Sequence, residues 1–244
     1  MRIVMLAYPG MTQLDLTAPF EVFARLPEAR VEIAAKNAPR PVEDAAGLRI
    51  VPTIAPGDLA GCDVLFVPGG PGQIDLMEDE ETLDFLRRMA ERARFVTSVC
   101  TGSLVLAAAG LLTGYRATCH WLSLPQLALL GAIPVEERVV VDGNRITGAG
   151  VTSGLDFALR LAAEIVGEAE ARRIGIAIEY EPAPPFPART QEDPSLVAEV
   201  RARTAAFQER REALARRVGL RQAGLRQAGL RKAGRPLPKE PAAS

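Results

Sequence analysis

The chain has 244 residues, of which 48% are hydrophobic and 24% charged, and its 29 basic residues nearly balance its 30 acidic ones. This length is sufficient for a large buried core, and the near-zero net charge gives no reason to expect nucleic-acid binding. No apolar run reaches the roughly 18–20 residues that a membrane-spanning helix needs, and the first residues do not have the pattern of a secretory signal. Composition therefore favours a globular protein without a membrane partner.

The numbers and positions of cysteine and histidine argue against a disulfide framework and a metal site. Cys62, Cys100 and Cys119 are widely separated and form no CxxC pair, and His120 is the single histidine. We therefore expect no disulfide framework and a reduced, cytoplasmic location. One histidine without clustered cysteines does not make a metal site, so acid–base chemistry has to use carboxylates or His120.

The first half of the chain alternates strands with helices. Short β-branched, apolar runs that end in glycine or proline are typical of strands buried on both faces of a parallel sheet. Segments with helical spacing of apolar residues follow several of them. The predicted strands are 2–7, 30–35, 62–67 and 95–99, and the predicted helices are 14–26, 79–93 and 101–112.

The second half completes the same pattern. Residues 117–130 suggest a short strand and a helix, and residues 153–166 and 168–178 suggest two more helices. Asp142-Gly143 lies between two extended runs, which is a hairpin signal. Strands alternating with helices predict an α/β fold: a doubly wound, mostly parallel sheet with helices on both faces.

The C-terminal part differs in composition. Residues 201–244 carry 12 of the basic residues and 3 of the acidic ones, and the segment 219–233 repeats Gly-Leu-Arg-Gln/Lys-Ala. We expect a helix from about 194 to 218 and then a mobile basic extension, because a glycine every fifth residue costs a helix roughly 1 kcal/mol each. The predicted division is a body at 1–187 and a helical, then repetitive and partly disordered tail at 188–244.

The segment around Cys100 carries the strongest chemical signal. A buried strand stops at this cysteine, and Thr101-Gly102-Ser103 then begin a helix, which is the layout of a nucleophile elbow. The N-terminus of a helix favours thiolate over thiol. Inert packing is the alternative for a cysteine taken alone, but the small residues that follow favour a reactive one.

Two further segments should reach the same edge of the sheet, because the carboxyl ends of parallel strands lie together. Gly69 and Gly70 end a strand and could offer N–H groups to a developing negative charge, although a tight turn would also explain them. Asp15, between two leucines, either caps its helix or points into the cleft. Thr101 either caps its own helix or contributes its hydroxyl to the pocket, and His120 either lines the pocket or lies in the core.

These segments together resemble the DJ-1/PfpI superfamily, and within it the isonitrile hydratases. The resemblance spans residues 3–186 and rests on the strings at 13–17, 67–70, 97–106, 117–121, 131–140 and 179–186. It implies a flavodoxin-like, DJ-1-like sandwich with a nucleophile-elbow cysteine. The activity it implies is cofactor-independent hydration of an isonitrile to the N-substituted formamide, and it also implies a homodimer.

The resemblance assigns roles to the residues already singled out. It implies that Cys100 is the nucleophile, Asp15 the acid–base group and Thr101 a third catalytic residue, with the glycine turn and His120 around the substrate. Peptidase-like relatives place a histidine after the cysteine, whereas this chain has Thr101. The alternatives are a DJ-1-like stress protein acting on reactive carbonyls or sensing oxidants, and a ligand-binding domain related to transcription regulators.

Overall fold

A computed structural model describes residues 1–232 of the chain. Its strands are β1 (Arg2–Leu6), β2 (Arg30–Ala34), β3 (Val42–Glu43), β4 (Arg49–Ile50), β5 (Val64–Val67), β6 (Phe95–Val99), β7 (Arg116–Ala117), β8 (Ile133–Pro134), β9 (Val139–Asp142) and β10 (Arg145–Gly148). Six of them form the central sheet, in the order β2-β1-β5-β6-β10-β9.

The helices are α1 (Gln13–Phe23), α2 (Gln73–Leu76), α3 (Glu80–Ala90), α4 (Gly102–Ala108), α5 (Gln126–Leu129), α6 (Gly154–Val166), α7 (Glu168–Ala177) and α8 (Pro194–Lys232). Within residues 1–232, none of these helices combines the length and the apolarity needed to cross a membrane.

All neighbours in the central sheet pair in parallel except β9 and β10. Every residue of β5 and β6 is buried, as expected for strands covered on both faces. The β9–β10 hairpin turns at Gly143, whose φ of +57° suits a two-residue turn. The prediction of a doubly wound, mostly parallel sheet is confirmed.

Helices cover the sheet in two groups. Helix α6 packs on α1 and α7, whereas α4 packs on α2, α3, α5 and α8. The core beside α1 and α6 is aromatic: the rings of Phe23, Phe66 and Phe157 lie with centroids 5.6–6.3 Å apart. Burial of these large apolar side chains fixes the helices on the sheet. The parallel pairing of β1, β5, β6 and β10 brings their carboxyl ends to one edge.

Helix α8 differs from the prediction for the tail. It begins at Pro194 as expected, but it continues through nearly all of the repeat to Lys232 rather than ending near Val218. Leu214, Ala215 and Val218 are buried in the main core, and the Gln222 amide donates to the carbonyls of Ala107 and Ala108 at 3.0 and 2.5 Å. Tertiary contacts therefore outweigh the low helix propensity of glycine here. Residues 233–244 of the predicted tail lie outside the described residues.

The first glycine of the repeat has a packing role. A Cβ on Gly219 would lie 1.9 Å from the Leu129 carbonyl oxygen, so α8 crosses the end of α5 at a distance that only glycine allows. Gly224, five residues later, has open space around it. Of these two glycines, only Gly219 is therefore required by the packing of α8.

We predict opposite effects of alanine at these two positions. Gly219→Ala should lower the free energy of unfolding by about 1–3 kcal/mol, because the Leu129 backbone has to move. Gly224→Ala should raise it by up to about 1 kcal/mol through better helix propensity. Thermal and denaturant unfolding of the two variants would measure this, and equal effects would contradict the crossing at Gly219.

A chain ending at Val218 should keep its fold and its site. The truncation retains Leu214, Ala215 and Val218 but loses the Gln222 hydrogen bonds and the Arg221–Glu80 ion pair. These exposed or partly buried interactions contribute about 1 kcal/mol in total, so the melting temperature should fall by roughly 2–4 °C. A collapse of the fold on truncation would show that the repeat is part of the body.

Candidate active site

The strand-to-helix turn expected at Cys100 is present. β6 ends at Val99, Cys100 takes φ +56°, and α4 begins at Gly102. A non-glycine residue in this left-handed region carries about 1–3 kcal/mol of strain. The Cys100 N–H donates to the carbonyls of Ala149 at 2.7 Å and Gly148 at 3.1 Å, so the end of β10 holds the turn. Strain held by neighbouring structure is typical of functional sites.

Glycines let three segments approach one another around this turn. A Cβ on Gly102 would lie 2.2 Å from the Val67 carbonyl oxygen, and one on Gly69 would lie 2.5 Å from the Thr101 nitrogen and 2.8 Å from the Asp15 carboxylate. The end of β5 therefore lies directly against the Cys100 turn. The convergence of these segments, predicted from the sheet type, is confirmed.

Asp15 points into the site rather than capping its helix. Thr12 is the N-cap of α1, and the fully buried Asp15 carboxylate accepts the Gly69 N–H at 3.0 Å through Oδ2. Its Oδ1 is buried and has no partner within the described residues. Burial raises the pKa of Asp15 to about 7, against the lowering effect of its hydrogen bonds to the Cys100 side chain and the Gly69 N–H.

The Cys100 thiol is buried and lies close to this carboxyl. Burial raises its pKa well above the usual value, the charge of Asp15 and then that of Cys119 raise it further, and the Thr101 N–H lowers it. The Thr101 N–H at the start of α4 favours the thiolate as expected, but desolvation outweighs this effect. Since each charge opposes the other, Asp15 and Cys100 share one negative charge at most near neutral pH.

The Thr101 hydroxyl holds the glycine turn. Its Oγ1 accepts the Gly70 N–H at 3.0 Å and lies 3.3 Å from the Gly70 carbonyl, to which it can donate. It makes no capping hydrogen bond to α4. The prediction that the Gly69 and Gly70 N–H groups are free to stabilise an oxyanion is wrong in this structure, because Asp15 and Thr101 already accept them. These glycines permit close approach instead.

A cleft of about 1210 Å³ opens next to this turn. Ala149, whose carbonyl accepts the Cys100 N–H, lines it together with Cys119, His120 and Gly150. His120 is partly buried, and burial followed by the charges of Arg211 and Arg189 lowers its pKa. Of the two sequence alternatives, the structure places His120 on the cleft. Cys100 itself is only 4% exposed and is not among the residues that line the cleft.

Two residues near the site were not predicted from the sequence. Tyr8, at the end of β1, is buried and donates to the Pro68 carbonyl at 2.9 Å. Arg211 of α8 is also buried, and its charge acts on Tyr8 and Cys119. The signal for Tyr8 was its place after the first strand. The signal for Arg211 was its spacing of three, four and seven residues from the buried Leu214, Ala215 and Val218.

No group of three or more histidine, cysteine, aspartate and glutamate side chains with metal-binding geometry occurs among residues 1–232. Cys62 and Cys119 are buried free thiols, and burial raises the pKa of each to about 12. The groups at the Cys100 turn that can exchange a proton are therefore the Asp15 carboxyl and the Cys100 thiol.

Comparisons with known proteins agree with this geometry. An isonitrile hydratase from Pseudomonas putida is 53% identical over 186 residues, covering 76% of this chain and 81% of that protein. The crystal structure of a THiJ/PfpI family protein from Pseudomonas syringae superposes with a TM-score of 0.84 at 47% identity, over 88% of this chain and 90% of that chain. Drosophila melanogaster DJ-1beta superposes with a TM-score of 0.67 at 25% identity, over 73% and 97%.

The family itself is shown by a match that covers most of the body. Residues 1–164, which include every strand of the central sheet and the whole Cys100 turn, match the sequence model of the DJ-1/PfpI family. The expected DJ-1-like sandwich is confirmed by the same match and by the solved relatives. This chain belongs to the DJ-1/PfpI family.

Proposed function

We propose that this protein hydrates isonitriles to N-substituted formamides, with Cys100 as nucleophile and Asp15 as acid–base group. The observation that carries the proposal is the buried Asp15–Cys100 pair, in which the pKa of Asp15 is raised to about 7. The 53% identity to an isonitrile hydratase supports the choice of substrate. A group with a pKa near the working pH can both give and take a proton.

The first step uses the electronic character of the isonitrile carbon, which accepts a proton and a nucleophile at the same atom. Protonated Asp15 gives its proton to this carbon while the Cys100 thiolate forms a C–S bond to it. The products are a thioimidate on the enzyme and an ionised Asp15. Covalent catalysis of this kind divides one difficult addition into two easier steps.

The second step returns both residues to their starting states. Asp15 takes a proton from water, the hydroxide attacks the thioimidate carbon, and the proton passes to the substrate nitrogen. Collapse of the adduct breaks the C–S bond, releases the formamide and the thiolate, and returns the hydroxyl proton to Asp15. Direct attack by water that Asp15 has activated, with Cys100 only stabilising charge, is the alternative route.

The structure gives less support to a role in transcription regulation. A helix-turn-helix regulator needs a pair of short helices, whereas residues 194–232 form one continuous helix. Methylglyoxal consumption would identify a carbonyl-directed activity. The homodimer and the cytoplasmic location remain predictions.

Activity of three site variants tests the assignment, with cyclohexyl isocyanide as substrate and formamide formation as readout. Cys100→Ala should abolish turnover without unfolding, because the cavity left by one sulfur is small. Asp15→Asn should lose about 10²–10⁴-fold, and Thr101→Val should lose less, because it only loosens the Gly70 turn. Cys62→Ser, a buried cysteine remote from the pair, is the control. Cys100→Ala retaining more than about a tenth of the activity would favour the water route.

The pH dependence of stability tests the Asp15 pKa separately. The native pKa of about 7 exceeds the unfolded value of 3.8, so the native state binds more protons between these values and stability falls as pH rises from about 4 to 7. Asp15→Asn should remove that loss, which is a few kcal/mol at roughly 1.4 kcal/mol per pKa unit. Its melting temperature relative to wild type should therefore rise between pH 5 and pH 8.

The exposed Asp58→Asn serves as the control for that measurement, since its side chain lies in solvent. A difference between Asp15→Asn and wild type that stays constant from pH 5 to pH 8 would contradict a raised pKa at Asp15.

A further inference from the structure

A buried tyrosine hydroxyl donates to the peptide group that also holds the carboxyl of the site. Tyr8 follows β1, and its hydroxyl donates to the Pro68 carbonyl at 2.9 Å inside the core. The N–H of that same peptide group belongs to Gly69, and it donates to the Asp15 carboxylate at 3.0 Å. One planar peptide group therefore accepts a hydrogen bond from the phenol and donates one to the carboxylate.

The register of the sheet brings Tyr8 to this peptide group. β1 pairs in parallel with β5, with Met5 opposite Phe66, so the residues that follow the two strands lie side by side. Gly69 is also fixed through its carbonyl, which accepts the Thr12 N–H at the start of α1 at 2.9 Å. The end of β1 and the start of α1 together fix the orientation of the peptide group that reaches the carboxylate.

Hydrogen bonds that run in series through a peptide group strengthen one another. A donor to the carbonyl oxygen draws electron density away from the amide nitrogen, so the N–H becomes a better donor, by about 10–30% per bond in condensed phases. A bond to an ionised carboxylate is roughly twice as strong as a neutral one. The ionised form of Asp15 therefore gains more from the Tyr8 hydroxyl than the protonated form does.

We propose that Tyr8 is a positioning residue for Asp15: the Tyr8 hydroxyl orients and polarises the Pro68–Gly69 peptide group so that its N–H stabilises the ionised carboxylate. This rests on the proposed function, in which Asp15 alternates between its protonated and ionised forms. Burial alone favours the protonated form, which cannot take a proton from water in the second step. The hydrogen bond from Tyr8 opposes that bias, so both forms of the carboxyl are accessible.

Tyr8 keeps its proton and therefore remains a donor. Burial raises the pKa of Tyr8 well above its usual value, the charges of Asp15 and then Cys100 raise it further, and the charge of Arg211 on α8 lowers it. The other titratable groups that the charge of Asp15 reaches are Cys100 at the end of β6 and Cys119 after β7. A protonated phenol supplies its hydrogen bond without adding a charge to this buried site.

The test is a titration of the Asp15 carboxyl itself, by ¹³C NMR of the full-length protein labelled at the side-chain carboxyl carbons of aspartate. The Asp15 signal is identified by its absence from Asp15→Asn. Tyr8→Phe removes the hydroxyl and keeps the ring. It should raise the apparent pKa of Asp15 by about 0.5–1, which corresponds to the net contribution of one hydrogen bond.

Thr97→Val is the matched control for this titration. The Thr97 hydroxyl is also buried and also donates to a carbonyl of β5, that of Leu65, at 2.8 Å. Its loss disturbs the same strand but not the peptide group that holds Asp15, so the apparent pKa of Asp15 should stay at the wild-type value.

A stronger donor at the same position gives the opposite prediction. Replacing Tyr8 by meta-fluorotyrosine keeps the hydroxyl and makes it more acidic, so the apparent pKa of Asp15 should fall. This protein retains the native contact, and it carries the test if Tyr8→Phe does not fold.

An Asp15 pKa that stays at the wild-type value in either folded Tyr8 protein would overturn the proposal. A shift of the same size in Thr97→Val would overturn it too, because the effect would then come from loosening of β5. No isonitrile enters this titration, so failure of hydration and failure of the Tyr8 role are separate results.

Discussion

The hydrogen bond from the Gly69 N–H to the Asp15 carboxylate is the interaction on which the site depends. It connects the turn after β5 to the first turn of α1 at 3.0 Å, and it requires a residue without a Cβ at position 69. Through this contact the carboxyl reaches Cys100 and loses its water. Burial raises the pKa of Asp15 towards neutrality, whereas the Gly69 N–H lowers it. The backbone contact therefore sets the position of the carboxyl, and the burial that comes with this position sets its acidity.

Much of the fold follows directly from the sequence. Buried strands such as β5 and β6 consist of consecutive apolar residues, and the edge rule for parallel sheets brings their ends together. The Cys100 turn was predictable because small residues follow a strand that stops abruptly. The hydrogen bonds across that edge were not predictable. Sequence spacing does not tell whether Gly70 donates its N–H to a ligand or to the Thr101 hydroxyl. Such choices depend on distances of a few tenths of an ångström.

In helix α8, local sequence preference fails to predict what the structure shows. Glycine at positions 219 and 224 lowers local helix propensity equally, yet one glycine permits the contact with Leu129 and the other faces open space. Helix propensity is therefore the same for the two glycines, and only their packing environment differs. Arg211 is a similar case, because a charge on an apolar face is usually a surface residue until the burial of its neighbours shows otherwise.

The left-handed conformation of Cys100 also bears on how such a protein changes over generations. A glycine at this position adopts φ +56° without strain, so replacing the cysteine by glycine would relieve part of the roughly 1–3 kcal/mol stored there. If Cys100 is the proposed nucleophile, selection for its chemistry has to outweigh this strain. A lineage released from the reaction would drift towards a sturdier domain that keeps its cleft and binds without reacting.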